Sequence, residues 1–179
     1  MGTGAINLPV RVAILTLSDK GARGEREDLS GPALAVWLAS HHVIIAVTRM
    51  LPDEPEVISA QLAEWADTGV CDLILTTGGT GISPRDRTPE ATAKVLDLVI
   101  PGFAEAMRAA SLKKTPFAVL SRAVAGVRKQ TLILNLPGSP RGAVECLEAV
   151  WIALEHAIRK MQGDMSDCVP PPGSVSVQP

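Results

Sequence analysis

The apolar residues of the chain gather in short runs that are separated by polar or glycine-rich loops. Near-continuous apolar runs at 12–17 and 72–77 are typical of strands that are buried on both faces of a parallel sheet, and the run at 43–50, rich in β-branched residues, predicts a further strand. Segments with apolar residues at helical spacing lie between these runs. The alternation predicts an α/β fold with three layers, a doubly wound, mostly parallel sheet with helices on both faces.

Polar residues of capping type mark the starts of several helices. We expect Ser30, Asp53, Thr88 and Ser139 to accept hydrogen bonds from the N–H groups of a first helical turn, because short polar side chains are favoured at that position. Proline follows within two residues of each of them and suits a first turn. The helices are predicted at about 31–41, from about 53 to 69, at 89–97, at 103–112 and from 140 onward.

The segments 123–128 and 131–136 are predicted to form a pair of strands joined at Lys129-Gln130, a small antiparallel element at the sheet edge. We assign residues 11–162 to one domain. Residues 1–10 and the proline-rich segment 163–179 show no periodicity, so we expect flexible termini there.

The composition narrows the class of function. With 179 residues, a net charge of −2 and 3% aromatic residues, the chain lacks the charge and the stacking platforms of a nucleic-acid-binding protein. No apolar run approaches the length that spans a membrane, and the first residues lack a leader pattern. The three cysteines are far apart and odd in number. We therefore expect a cytoplasmic protein without membrane contacts.

The apolar run at 72–77 leads into the loop Gly78-Gly79-Thr80-Gly81. Its glycines permit positive φ, so the backbone N–H groups can turn toward one point and hold an anion. Glycines are also needed for a tight turn alone, but the neighbouring hydroxyls, including that of Thr77, favour ligand binding. The loop matches neither the Walker A pattern nor GxGxxG. It lies where open α/β sheets bind their ligands.

Carboxylates near this loop suggest a metal. Asp86 follows the glycines closely, and Mg²⁺ is held by one or two carboxylates together with substrate phosphates. The alternative for Asp86 is a solvated loop carboxylate, and for Asp53 it is helix capping. Asp19 and Asp28 fit either loop solvation or contacts to a polar ligand. The entrance at Gly138-Ser139 fits either a cap or an anion site.

Charged side chains elsewhere add little by themselves. Arg85, Arg122, Arg128 and Lys129 fit surface positions, although one or two could meet phosphate if they face the cleft. No histidine stands beside a candidate nucleophile or at metal-ligand spacing. The residues thus indicate phosphoryl or nucleotidyl transfer assisted by Mg²⁺, or anion binding alone.

Several motifs in fixed order resemble one family. The segment 75–81, followed by Arg85-Asp86 and 88–92, closely resembles the molybdenum-cofactor-biosynthesis domain shared by MogA, MoaB and the G domain of gephyrin. The same domain is resembled at 15–19, 27–31, 51–54, 120–122 and 134–139, so the resemblance covers about residues 11–160.

The resemblance implies an activity and an assembly. It implies a homotrimeric molybdopterin adenylyltransferase, which transfers AMP from ATP to the terminal phosphate of molybdopterin and releases pyrophosphate, with Mg²⁺ as cofactor and a molybdenum-insertion protein as a further partner. Asp53 and Asp86 match the family's two functional aspartates, as catalytic residues and metal ligands. The loop Gly78–Gly81 would hold a phosphate of the nucleotide or of the pterin. Further contacts to pterin or nucleotide are implied for Ser18, Asp19, Asp28, Ser30, Thr77, Gly78, Gly79, Thr80, Gly81, Asn135, Pro137, Gly138 and Ser139.

Two other functions fit the same fold. One is a trimeric molybdopterin carrier or scaffold without catalysis, and the other is a different nucleotidyl or phosphate-binding enzyme. A chain of 179 residues without a long linker argues against a scaffold of the gephyrin type. The motifs do not separate a MogA-like from a MoaB-like role.

Overall fold

The structure, a computed structural model, describes residues 9–164. A sheet in the order β2-β1-β3-β6-β5-β4 forms its middle layer. β2, β1, β3 and β6 run parallel, whereas β5 is antiparallel to both of its neighbours. The strands are β1 (Val10–Leu17), β2 (Val43–Leu51), β3 (Leu73–Thr77), β4 (Leu98–Val99), β5 (Ala125–Arg128) and β6 (Thr131–Leu136).

Helices cover both faces of the sheet, which confirms the doubly wound prediction. The helices are α1 (Asp19–Ala22), α2 (Ser30–Leu38), α3 (Pro55–Asp67), α4 (Thr88–Ala93), α5 (Pro101–Leu112) and α6 (Pro140–Met161), with a 3₁₀ helix at Pro116–Leu120. One core packs α2, α5 and α6 against the sheet, and the other packs α3 and α4 against its opposite face. Among residues 9–164, no helix is both long and apolar enough to span a membrane.

The central strands have side chains in both cores, because successive residues of a strand point to opposite faces. In β1, Ile14 belongs to one core and Leu15 to the other. Ile14 pairs with Leu75 of β3, which in turn pairs with Leu134 of β6. All three are at most 1% exposed. The apolar runs of β1 and β3 are continuous because neither face of these strands meets water.

The prediction that Ser30 caps α2 is wrong. The carboxylate of Asp28 accepts hydrogen bonds from the backbone N–H groups of Ser30, at 3.0 Å, and of Gly31, at 2.9 Å. A carboxylate at this end of a helix also meets the positive end of the helix dipole. The hydroxyl of Ser30 points elsewhere and donates to the carbonyl oxygen of Gly138 at 3.2 Å.

The capping predictions for Asp53 and Thr88 are also wrong, because both side chains form tertiary hydrogen bonds instead. Neither Glu54, which precedes α3, nor Arg87, which precedes α4, makes a side-chain cap, and Asp53 accepts from the backbone N–H of Asp19 instead. Thr88 donates its hydroxyl to the carbonyl oxygen of Gly78. The prediction for Ser139 is confirmed, because its hydroxyl oxygen accepts from the N–H of Gly142 at 3.2 Å.

The segment after α4 also differs from the sequence prediction. α4 ends at Ala93, short of the expected 97, and the two-residue strand β4 follows it. β4 pairs with β5, so it forms the sheet edge, and the predicted pair β5–β6 lies further inside. Val10, assigned to the lead-in, is already part of β1. Most of both predicted flexible termini, with Cys168, falls outside the described residues.

Candidate active site

A cleft of about 460 Å³ lies where β1, β3 and β6 end, together with the loop before α2. The carboxyl ends of parallel strands meet at this edge, which is why loops distant in sequence share one surface. The cleft lining includes ten of the residues proposed from the sequence, namely Ser18, Asp28, Ser30, Asp53, Thr77, Gly78, Gly79, Asp86, Gly138 and Ser139.

The floor of the cleft is a close meeting of three backbone segments at Gly78. A Cβ at Gly78 would lie 2.3 Å from the carbonyl oxygen of Leu17, and its φ of +109° disfavours any other residue. A Cβ at Gly138 would lie 3.2 Å from the Cα of Gly78. The hydroxyl of Thr77 donates to the carbonyl oxygen of Pro137 at 2.7 Å. The ends of β1, β3 and β6 are thus held together by close backbone contacts and by the hydroxyl of Thr77.

The first two carbonyl groups of the glycine loop are directed toward α4. Thr88 donates its hydroxyl to the carbonyl oxygen of Gly78 at 2.9 Å and its N–H to that of Gly79 at 3.2 Å. Within residues 9–164, the N–H groups of Gly79, Thr80 and Gly81 donate to no protein atom. Unused N–H groups in a loop that contains positive φ values are suited to bind the oxygens of an anion.

Two carboxylates flank this loop. A Cβ at Gly79 would lie 3.0 Å from Oδ1 of Asp53, and a Cβ at Gly81 would lie 2.9 Å from Oδ2 of Asp86. Asp86 is held in place because its Oδ2 accepts from the N–H of Ser83 at 2.7 Å. The lack of a side chain at Gly79 and at Gly81 therefore lets the two carboxylates lie directly against the backbone of the loop.

Burial raises the pKa of Asp53 above its ordinary value, and the nearby negative charges of Asp19 and Asp86 add to that effect. A cation or a hydrogen-bond donor that enters the cleft would stabilise the ionised form of such a carboxylate. Among the described residues, no three His, Cys, Asp or Glu side chains group closely enough to hold a metal by themselves. The pair Asp53 and Asp86 fits Mg²⁺, which is commonly held by one or two carboxylates and completed by substrate phosphates.

The opposite side of the cleft is formed by the loop that precedes α2. Besides capping α2, Asp28 accepts the hydroxyl of Thr16 at 2.7 Å. Ser18 accepts from the N–H of Gly21 at 3.1 Å and so caps the short helix α1. Both residues line the cleft, so each joins a structural contact to a surface that a ligand can reach.

The structure does not bring every predicted residue to the surface of the cleft. Asn135 is 0% exposed, and its amide donates to the hydroxyls of Thr76 and Thr92 and accepts from the N–H of Val124. It therefore joins β6 to β3, to α4 and to the segment before β5, and its contact with a ligand stays a prediction. The other predicted residues outside the lining are Asp19, Thr80, Gly81 and Pro137.

Two arginines near the cleft are bound to protein groups. Arg85 pairs with Asp19 and Glu54, and Arg122 donates to the carbonyl oxygens of Gly81 and Asp86. The basic side chain that lines the cleft is Arg26, which forms no hydrogen bond or ion pair with the rest of residues 9–164. The sequence analysis missed Arg26, although its place in a polar loop after a buried strand was a usable signal.

Comparisons with curated proteins include two relatives that bear the same name. The chain is 42% identical over 157 residues to the molybdopterin adenylyltransferase of Helicobacter pylori, which covers 87% of this chain and 89% of the relative. It is 46% identical over 143 residues to the molybdopterin adenylyltransferase of Escherichia coli, which covers 79% of this chain and 73% of the relative.

Comparisons with solved structures agree with the comparisons with curated proteins. The molybdopterin biosynthesis enzyme MoaB from Thermus thermophilus is 56% identical with a TM-score of 0.82, over 86% of this chain and 97% of that one. A structure of MogA is 42% identical with a TM-score of 0.80, over 84% of this chain and 99% of that one. Residues 13–156 match the family model described as "probable molybdopterin binding domain". With the glycine loop, its flanking carboxylates and these relatives in agreement, the chain belongs to the molybdopterin-binding domain family of molybdenum cofactor biosynthesis.

Proposed function

We propose that this protein is a molybdopterin adenylyltransferase that transfers AMP from ATP to the terminal phosphate of molybdopterin and releases pyrophosphate. The observation that carries the proposal is the glycine loop with free N–H groups between the carboxylates of Asp53 and Asp86. The curated relatives at 42% and 46% identity bear the name of this activity. A cleft of about 460 Å³ is within the size range of pockets that bind small molecules and cofactors.

The reaction needs positioning and charge stabilisation more than proton transfer. An oxygen of the molybdopterin phosphate attacks the α-phosphorus of ATP, a new P–O bond forms, and the bond from the α-phosphorus to the bridging oxygen breaks as pyrophosphate leaves. That phosphate is already ionised at neutral pH, so no strong general base is required. The free N–H group of Gly79, a residue that lines the cleft, would bind a phosphate oxygen and stabilise the charge that develops on it.

The proposal includes Mg²⁺, with Asp86 and Asp53 as its protein ligands. Bound Mg²⁺ supplies positive charge that offsets the charge of the phosphates. Asp86 is held by the N–H of Ser83, and Asp53 by that of Asp19, so each enters the cleft in a defined orientation. Ser18, Asp28, Ser30 and the α6 entrance at Gly138-Ser139 would contact the pterin or the nucleotide.

The assembly and the location are part of the same proposal. We expect a homotrimer, which would give the 18.8 kDa chain three times its mass in solution. Phe117 and Val119 of the 3₁₀ helix are 74% and 62% exposed, and association would remove such apolar surface from water. The free cysteines Cys71 and Cys146 fit a cytoplasmic protein. A molybdenum-insertion protein would receive the product.

The test is an assay with purified protein, molybdopterin, Mg²⁺ and ATP labelled at the α-phosphate. We expect label in adenylated molybdopterin and an equal amount of pyrophosphate, with no product when the pterin is omitted. Binding of the pterin without product would contradict the proposal and would leave the non-catalytic carrier as the function. Loss of product on removal of Mg²⁺ by a chelator, with recovery on its return, checks the metal separately.

A further inference from the structure

Arg85 follows the glycine loop and connects it to two other loops at the same edge of the sheet. Its Nε and one terminal nitrogen each donate a 2.9 Å hydrogen bond to a carboxylate oxygen of Asp19. The same terminal nitrogen donates to Oε1 of Glu54 at 2.7 Å. A paired contact of this kind fixes the orientation of both groups, because the guanidinium and the carboxylate are planar.

Asp19 in turn fixes the orientation of Asp53 through two hydrogen bonds. The N–H of Asp19 donates to Oδ2 of Asp53, and the N–H of Asp53 donates to Oδ1 of Asp19, both at 3.0 Å. The oxygen of Asp19 that accepts from Asp53 also accepts from Arg85. Asp53 lines the cleft, whereas neither Asp19 nor Arg85 does.

We propose that Arg85 is a positioning residue, which fixes the carboxylate of Asp53 in the cleft through Asp19. The role of Asp53 in transfer rests on the proposed function, whereas the contacts that position it stand on geometry alone. Arg85 acts at a distance because its guanidinium binds Asp19 and Glu54, outside the lining of the cleft. This assignment gives the arginine of the Arg85-Asp86 pair a task different from that of its neighbour.

The contact matters for geometry more than for stability. The side chain of Arg85 is 52% exposed, and ion pairs near the surface contribute little to the free energy of unfolding. Lysine would keep the charge but would lose the planar pair of donors. A matched pair exists elsewhere, because Arg128 donates to both carboxylate oxygens of Asp67, at 3.0 and 2.6 Å, away from the cleft.

The experiment compares Arg85→Lys with Arg128→Lys. We expect Arg85→Lys to lower kcat by roughly tenfold or more, with the KM of ATP and of molybdopterin within about twofold of the wild-type values, because misplaced catalytic groups slow the chemical step. Arg128→Lys should leave both parameters unchanged. In an Asp19→Asn background, Arg85→Lys should add little, since the path through Asp19 is already weakened.

A second measurement does not depend on activity. Hydrogen exchange of the Asp19 and Asp53 amides, followed by NMR, should be faster in Arg85→Lys than in the wild type and unchanged in Arg128→Lys. If exchange at these amides is the same in both variants, the positioning role is wrong. Equally, a higher KM with unchanged kcat, additive to Asp19→Asn, would show direct substrate contact by Arg85 and overturn it. A wild-type protein without transfer activity would contradict the proposed function, while the exchange data would still decide the positioning.

Discussion

The hydroxyl of Thr88 donates a 2.9 Å hydrogen bond to the carbonyl oxygen of Gly78, so the first turn of α4 is attached to the floor of the cleft by a buried contact. Thr88 is 0% exposed, so water cannot reach this site to replace the hydrogen bond. The geometry of the glycine loop therefore depends on a side chain whose residue type predicts only a helix cap.

Replacing Thr88 by valine tests this contact. Thr88→Val keeps the shape but leaves the carbonyl of Gly78 without a side-chain donor, and we expect a loss of about 1–3 kcal/mol in the free energy of unfolding. Urea unfolding measures it. Thr68→Val is the control, because Thr68 donates to the carbonyl of Glu64 at an exposed helix end. Equal losses in the two variants would refute the buried contact.

Gly79 offers a test of how the loop holds Asp53. Gly79 and Gly69 have φ values of +62° and +63°, so Gly→Ala introduces similar backbone strain at both. At Gly79 the new Cβ would also lie 2.3 Å from the hydroxyl of Thr88 and 3.0 Å from Oδ1 of Asp53, whereas Gly69 has nothing within 4 Å. We expect Gly79→Ala to abolish adenylyl transfer and Gly69→Ala to retain it, in a steady-state assay. Activity that survives in Gly79→Ala would mean that the loop tolerates the added carbon.

Asp86 is the residue for which a functional role is easiest to isolate. Asp86→Asn keeps an oxygen that can accept from the N–H of Ser83 and removes the charge, so the fold should persist while turnover falls by about 10²-fold or more. Asp97→Asn is the matched control, because Asp97 accepts a single backbone N–H, that of Lys129, outside the cleft. Turnover near the wild-type rate in Asp86→Asn would remove Asp86 from the mechanism.

Asp53→Asn should lower activity and raise stability at neutral pH. The pKa of Asp53 is raised above its ordinary value of 3.8, chiefly by burial, so the folded protein binds this proton more tightly than the unfolded chain does. The ionised carboxylate therefore reduces stability above the raised pKa, and that effect disappears as the pH falls below 3.8. Asparagine removes the charge and can still accept from the N–H of Asp19.

Urea unfolding of the wild type and the D53N variant at several pH values measures this difference. The variant should be the more stable of the two at pH 7, and its advantage should shrink as the pH approaches the ordinary pKa of the carboxyl group. A variant that is less stable than the wild type at pH 7 would show that hydrogen bonding, rather than burial of charge, dominates at Asp53.

The fold could be predicted from the sequence because its strongest signals are local. The strands β1 and β3 are buried on both faces, so their apolar runs are continuous and unambiguous. The strand β4 carries no such signal, because it has two residues, Leu98 and Val99, and both are exposed. Its pairing with β5 is a contact between distant segments that no local pattern records.

The site was predicted less completely, since capping signals do not reveal which partner a polar side chain will find. Asp53 and Thr88 have the right residue type for a cap, but each bonds to a loop distant in sequence. Asn135 stands in a motif that the family resemblance assigns to binding, yet it is buried with its amide oxygen and nitrogen both bonded. Gly78 and Gly138 lie in the lining of the cleft, where the close approach of other backbone atoms leaves no room for a side chain.

The meeting of Leu17, Gly78 and Gly138 makes the cleft suited to redesign. Its floor is set by close backbone contacts at Gly78 and Gly138, which the hydroxyls of Thr77 and Thr88 support. Lining positions outside these contacts, such as Arg26 and Met50, can therefore be varied in a library while the three strand ends keep their spacing. Selection from such a library would measure how far the ligand preference of this cleft can be changed toward other phosphorylated compounds.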